Sequence, residues 1–218
     1  MIQDQEAQSL FEKLKKSRLA GAPHWCGADR NPGVDEVLKW RVWTRRKTTP
    51  DQRRIEAHLS GVVAPTSSIL HIGVGNSSLA RQFAKKVSRI QGTTVHIEER
   101  ILAEELRLPH YEVVVANKYC SEMDNIVGPF DFIVDNNPSS FACCLRHFCL
   151  MMTHYAQNLG RRGSILTAQP GLGWATTNNN PIWSLDWDDW QFLGEALGLH
   201  SREFPNSVYA LQRFPIDT

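Results

Sequence analysis

The sequence predicts an α/β fold: a Rossmann-like, doubly wound sheet of about seven strands, with an antiparallel C-terminal hairpin and an N-terminal helical extension. Three observations carry this. An apolar run, Ile69-Leu70-His71-Ile72, breaks at Gly73-Val74-Gly75 and gives way to a helical pattern, which is the start of a βαβ unit. Short apolar runs then alternate with helical periodicity as far as Leu197. The end, His200–Pro205 and Val208–Phe214 around Asn206-Ser207, reads as a hairpin, and strand–helix alternation closed by a hairpin means a mostly parallel sheet with an antiparallel edge.

Composition bounds the rest. The 218 residues suffice for a sizeable core, and 42% hydrophobic with 22% charged residues describes an ordinary globule. A net charge of +1 excludes a wholly basic nucleic-acid coat. The polar start, Met1–Glu6, carries no signal peptide pattern, and no apolar run reaches membrane-spanning length. Five cysteines without a Cys-x-x-Cys pair point to reduced thiols and a cytoplasmic setting.

Residues 1–62 form the helical extension, or lid, and 63–218 the α/β unit. Ala7, Leu10, Phe11 and Leu14 mark an amphipathic helix over 5–19, ended by Gly21-Ala22-Pro23. A second helix is expected over 34–46. Thr49-Pro50-Asp51-Gln52 starts a third, with Thr49 as N-cap, Pro50 at the first helical position and Gln52 closing a capping box; Gly61 stops it. The extension holds Lys39, Trp40, Arg41, Trp43, Arg45, Arg46, Lys47, Arg53 and Arg54. Such a run reads first as a solvated helix face with two Trp inward, next as a pocket wall for a small substrate, and last as a nucleic-acid surface, which no other basic cluster supports.

In the α/β unit, Leu79, Phe83, Val87 and Ile90 line one face of the helix after the glycine turn. Thr93–Glu99 is the second strand. An acid at its carboxyl end is placed to accept hydrogen bonds from ribose hydroxyls, and Glu98, next to the last apolar residue, is the choice. A helix over Arg100–Leu108, a strand over Tyr111–Ala116, a strand over Phe130–Asp135, a helix over 140–158 and a strand over Ser164–Ala168 follow. Gln169–Ser184 lacks periodicity, and a loop of that length is a functional candidate. Asp186 or Ser184 then caps a helix with Trp190, Leu193 and Leu197, closed by Gly198. Asp135 ends a strand where open α/β sheets bind ligands, which makes it the candidate general base, with Asn136 and Asn137 beside it to orient a substrate.

Over residues 66–214 the chain resembles the class I S-adenosylmethionine-dependent methyltransferases. The resemblance rests on Ile69–Ser78, on Glu98 after the second strand, on Asn117 after the third, on Phe130–Asp135 as the fourth, and on Glu195–Leu199 followed by Val208–Arg213. It implies S-adenosylmethionine as cofactor, with Gly73, Val74, Gly75, Ser77 and Ser78 under its methionine and ribose, Glu98 on the ribose, Asn117 and Lys118 beside the adenine, and Asp135 at the methyl site. Ser77 stands where that family commonly has a third glycine, and Asn117 where it commonly has Asp. Asp135-Asn136-Asn137-Pro138-Ser139 is similar to the Asn-Pro-Pro-Tyr signature of amino-group methyltransferases, without its second Pro and its aromatic.

The expected function is therefore methylation of an oxygen or nitrogen on a small molecule, with Trp40, Trp43, Asn136, Asn137 and Trp174 as substrate contacts. RNA methylation, aminopropyl transfer and a catalytically silent nucleotide-binding module are the alternatives. No metal is assigned. Gln169-Pro170-Gly171 stands where a catechol-type metal site needs Asp-Asn. Cys143, Cys144, His147, Cys149 and His154 share one predicted helix, Cys143–His147 at i,i+4 and Cys144–His147 at i,i+3; that spacing could hold a metal, but they read first as small core residues with His at the helix margin.

Overall fold

A computed structural model describes residues 2–29, 31, 42–174 and 181–214. Among the described residues, seven strands form one sheet: β1 (Ser68–Ile72), β2 (Arg89–Thr94), β3 (Tyr111–Val115), β4 (Phe130–Asp135), β5 (Leu159–Ala168), β6 (His200–Phe204) and β7 (Val208–Gln212). Their order is β3-β2-β1-β4-β5-β7-β6. β1 to β5 pair in parallel, and β7 runs antiparallel between β5 and β6. The helices are α1 (Ile2–Leu14), α2 (Pro50–Val62), α3 (Ser78–Phe83), α4 (Ile97–Glu105), α5 (Leu145–Gln157), the short α6 (Gln169–Leu172) and α7 (Trp187–Leu197).

Both faces of the sheet are covered, which is why its central strands read as near-continuous apolar runs. Neighbouring residues of a strand point to opposite faces. Leu70, Ile133, Ile165 and Leu211 thus join one core with Leu10 and Leu14 of α1, Phe148 and Met152 of α5, and Trp190 of α7. Ile69, Val134, Leu166 and Ala210 enter the other with Ile55 and Leu59 of α2 and Leu79 and Phe83 of α3. At 25–30 cal/mol per Å² of apolar surface, each such fully buried aliphatic side chain is worth about 1.5–3 kcal/mol.

Several boundaries differ from those expected, for local reasons. α1 ends at Leu14, and a 3-10 turn, Arg18–Gly21, capped by Ser17, precedes Pro23. Of the predicted 34–46 helix, 34–41 lie outside the described residues and 42–46 form a loop and turn. Thr49 accepts from the Gln52 N–H at 3.4 Å, but the Gln52 side chain turns away from the cap to Glu56 at 3.1 Å, so only half of the capping box forms. α3 stops at Phe83; Val87 is buried in the turn after it and Ile90 in β2, so their apparent helical spacing reflects burial from two elements. β2 covers Arg89–Thr94 rather than 93–99, because His96 is already the N-cap of α4. Phe141, at φ 67, holds the chain out of helix until Leu145, so α5 is shorter than expected. β5 starts at Leu159 and takes in the Gly160–Gly163 segment expected to end the helix. Within the expected loop 169–184, α6 and a 3-10 turn at Pro181–Trp183 are formed, and Asn178 to Asn180 lie outside the described residues. Asp186 is the cap of α7, with a reciprocal bond to Asp189 that completes a capping box.

The strand order reverses between β1 and β4, since β1 leads to β2 and β3 on one side and β4 leads to β5 on the other. A crevice opens at the carboxyl ends of strands at such a point.

Candidate active site

A cavity of about 630 Å³ occupies that crevice. This lies within the range of small-molecule and cofactor sites. Its floor is the turn after β1. Gly73 and Gly75 sit at φ 72 and 53, and Gly73 and Val74 both donate to the Thr93 carbonyl, at 2.9 and 3.0 Å. A side chain at Gly75 would also meet Trp43 Cδ1 at 3.3 Å, so the indole lies directly against the turn. Ser78 lines the cavity and donates to Glu56 at 3.1 Å, which fixes α3 to α2. Burial raises the Glu56 carboxyl above its ordinary range, and the bonds from Gln52 and Ser78 oppose that rise.

Ser77, predicted with this group, is placed differently. It is left-handed at φ 58, fully buried, and its hydroxyl pairs with Tyr111 OH at 2.8 Å, away from the cavity wall. Burial pushes the Tyr111 hydroxyl up to about 12.

Glu98 is exposed on the first turn of α4, and its neighbour Glu99 lines the cavity instead. A helix turns 100° per residue, so starting α4 at Ile97 sends adjacent residues to different faces. Glu99 accepts from Thr94 Oγ1 at 2.6 Å and from the Trp43 backbone N–H at 2.9 Å. A carboxylate has about four acceptor sites, so both oxygens keep capacity for a ligand. Through Glu99 the segment before α2 is tied to the end of β2. Arg46 stacks over the Trp43 ring, 4.8 Å from its centroid, and Asn76 donates to the Arg46 carbonyl at 2.9 Å.

On the opposite wall are Asn117, Lys118, Asn136 and Asn137. Asn117 is buried, and its Oδ1 accepts from the Tyr119 N–H at 3.1 Å. Lys118 donates to both oxygens of Asp135 and, at 2.7 Å, to the Asn137 carbonyl. Burial lowers the Lys118 ammonium, and Asp135 opposes that shift. Asp135 does not reach the cavity wall. It is 1% exposed and also accepts from Tyr155 OH at 3.0 Å and the Asn137 N–H at 3.2 Å. Burial holds the Tyr155 hydroxyl well above its ordinary value. A carboxylate that accepts four hydrogen bonds from three donor groups is positioned to hold the Asn136-Asn137 turn, not to collect a proton from a substrate.

Trp174 is half-buried on the rim, edge-on to Phe141 with ring centroids 5.7 Å apart, and both line the cavity. Trp183 and Trp190 are packed in the core, and Trp187 stacks on Tyr209. Trp40 lies outside the described residues.

His71 is a lining residue not singled out from the sequence. It is buried on β1, and burial pulls its imidazole down to about 4, so the ring is neutral near pH 7. Its Nδ1, like Asn136 Oδ1, is buried without a hydrogen-bond partner among the described residues. Leaving such groups unpaired costs about 1–3 kcal/mol each, and a polar ligand would recover it. The signal in the sequence was a polar residue inside an apolar strand, two positions before Gly73.

No protein-family model and no curated protein sequence matches the chain. Solved structures do match in shape. The N-methyltransferase NodS from Bradyrhizobium japonicum, in complex with S-adenosyl-L-homocysteine, aligns with a TM-score of 0.58 at 12% identity, covering 82% of this chain and 95% of that one. The SAM-bound amino pentose methyltransferase CalS10 from Micromonospora echinaspora aligns at 0.54 and 11% identity, over 86% and 99%. A TehB-like SAM-dependent methyltransferase from Corynebacterium glutamicum aligns at 0.54 and 16%, over 82% and 94%. No helix of the described residues is long and apolar enough to cross a membrane. With its mostly parallel seven-stranded sheet closed by an antiparallel pair, the chain has the fold of the class I S-adenosylmethionine-dependent methyltransferases.

Proposed function

We propose that the protein is an S-adenosylmethionine-dependent methyltransferase acting on a small molecule, with residues 63–218 as the methyltransferase-like unit and 1–62 as an extension that closes part of the site. The observation that supports this most directly is one cavity, at the strand-order reversal, that brings together Gly73, Gly75, Glu99 and Asn117 with two unpaired buried polar atoms, His71 Nδ1 and Asn136 Oδ1. These residues fit a nucleoside with an amino-acid tail. The positive-φ glycines let backbone approach a ligand closely, and Glu99 retains acceptor capacity for ribose hydroxyls, the part expected of Glu98. Asn117 and Lys118 would flank the adenine, and Val74 and Ser78 would support the remainder.

When bound, S-adenosylmethionine supplies an electrophilic methyl group. The chain's own task is to align the acceptor with it and keep water out, and proximity of this kind is worth up to roughly 7–11 kcal/mol. Trp43, Trp174 and Phe141 form apolar walls, and Asn136 and Asn137 offer the polar contacts that orient an acceptor. Asp135 acts one step back, as a positioning residue that holds the Asn136-Asn137 turn through its bonds to Lys118 and the Asn137 N–H.

Calorimetry with S-adenosylhomocysteine and with NAD tests this reading. Binding of the first and not the second is expected, and no heat with S-adenosylhomocysteine would sink it. A protein that binds S-adenosylhomocysteine yet transfers no labelled methyl group to any acceptor in a broad small-molecule panel would be the silent binding module instead.

A further inference from the structure

Away from the cavity floor, the fold gathers four metal-ligating side chains. Cys26 comes from the loop after the 3-10 turn at Arg18–Gly21, Cys143 and Cys144 from the segment leading into α5, and His147 from the first turn of α5. Their ligand atoms all lie within 4.8 Å of one another. We propose that Cys26, Cys143, Cys144 and His147 form a structural Cys₃His zinc site, which revises the expectation of no metal.

The distances suit that ion. His147 Nδ1 lies 3.4 Å from Cys26 Sγ, 3.4 Å from Cys143 Sγ and 3.1 Å from Cys144 Sγ, and the Cys143 and Cys144 sulfurs are 3.9 Å apart. A tetrahedral zinc with bonds of about 2.3 Å to sulfur and about 2.05 Å to nitrogen spaces its ligands at about 3.8 Å for S–S and about 3.6 Å for S–N. These four separations lie within about 0.5 Å of the tetrahedral values, and Cys26 Sγ lies within 4.8 Å of the other two sulfurs, so small side-chain rotations bring the cluster onto a metal.

The imidazole is presented in the correct form. His147 Nε2 lies 3.1 Å from the Asp29 carbonyl oxygen, which can only accept, so Nε2 carries the hydrogen of the neutral ring. Nδ1 is then the free lone pair, and it is the atom that faces the three sulfurs. A histidine ligand whose other nitrogen is held by a carbonyl is the usual outer arrangement of a zinc site.

The loop that brings Cys26 is itself set by α5. The Pro23 and His24 carbonyls accept from the Leu145 and Arg146 N–H groups at 2.7 and 3.3 Å, satisfying donors that a helix start leaves free. Gly27, at φ 90, turns the chain immediately after Cys26, and Arg146 pairs with Asp29 at 3.6 Å. Cys26 reaches its partners across 117 positions of sequence to Cys143, with one exposed and one part-exposed thiol leaving a path for the ion.

Thiolates and imidazole select a borderline-soft tetrahedral ion over magnesium or calcium. On binding, three thiols release their protons to solvent, and the three thiolates, the neutral imidazole and Zn²⁺ carry a net charge of −1. Four protein ligands leave no position for water or substrate, so the site is structural. It joins the loop holding Cys26 to the stretch that begins with Phe141, two residues before Cys143, and so braces a wall of the cavity.

Metal content of the full chain, expressed with zinc in the medium and purified under reductant without chelator, tests this. About one zinc per chain is expected. After stripping, titration with Co²⁺ alone should give intense visible bands of a tetrahedral ion and a sulfur-to-cobalt charge-transfer band. Cys26→Ser and His147→Ala should lose stoichiometric zinc and alter the cobalt spectrum, while Cys149→Ser, whose thiol is outside the cluster, should keep both. The proposal is overturned by wild-type protein that holds no zinc and gives no charge-transfer band, as it would if Cys143 and Cys144 were joined in a disulfide. It is equally overturned by Cys26→Ser and His147→Ala variants that match wild type. If those variants do not fold, the wild-type cobalt spectrum decides. The readout is the metal, so the outcome is separate from any assay of cofactor binding or methyl transfer.

Discussion

Lys118 Nζ lies 2.9 and 3.1 Å from the two carboxylate oxygens of Asp135, and the pair is almost wholly out of solvent, with 10% and 1% of their side-chain surfaces exposed. Removing one partner of such a pair strands the other charge in the interior. Asp135→Asn or Lys118→Met is expected to cost about 3–5 kcal/mol, and the double variant less than the sum. Urea unfolding checks this. A general base free of structural duties would instead leave the unfolding midpoint of Asp135→Asn near wild type.

Adjacent acids on α4 should differ in effect. Glu99 lines the cavity and receives the Trp43 N–H, while Glu98 faces solvent. Glu99→Gln should weaken S-adenosylhomocysteine by at least about 10-fold, a difference of about 1.4 kcal/mol. Glu98→Gln should leave it unchanged. Calorimetry on the two variants side by side decides which acid serves the ligand, and the opposite ranking would restore Glu98.

Stability should fall on mild acidification, and His71 should account for much of the fall. Its folded value, about 4, lies below its ordinary 6.5, so between these the unfolded chain binds a proton that the folded chain does not. Stability therefore rises with pH across this window and is lost as pH falls from about 7 towards 4. From pH 7 to pH 5 the share of His71 is about 2 kcal/mol. His58 and His154, also lowered by burial, add in the same direction. Denaturant unfolding of wild type and His71→Gln at pH 7 and pH 5 should show a smaller pH difference in the variant.

Gly171 packs under the Asn136-Asn137 turn so closely that a methyl group there would sit 1.8 Å from the Asn136 carbonyl oxygen. That oxygen is also held by Thr167 Oγ1 at 3.0 Å, so it has little room to retreat. Gly171→Ala should cost about 1–3 kcal/mol and shift the cavity wall. Thermal unfolding should show the loss. Gly61→Ala, with nothing within 4 Å of the added carbon, is the control expected to change little.

The sequence by itself determined the strand–helix alternation, the glycine turn at 73–75, the Thr49 cap, β4 at Phe130–Asp135 and the closing antiparallel pair. Each is carried by local chemistry: alternating burial of neighbouring strand residues, positive-φ glycines, and a side-chain oxygen beside free helix N–H groups. Only the tertiary structure decided which way individual side chains of the site face. A shift in where α4 begins exchanges Glu98 for Glu99. The ammonium of Lys118, from the turn after β3, closes off Asp135 at the end of β4. Cys26 meets Cys143, Cys144 and His147 only because its loop docks on the first turn of α5. Such relationships depend on rotation within a helix and on contacts between distant segments, and spacing along the chain encodes neither.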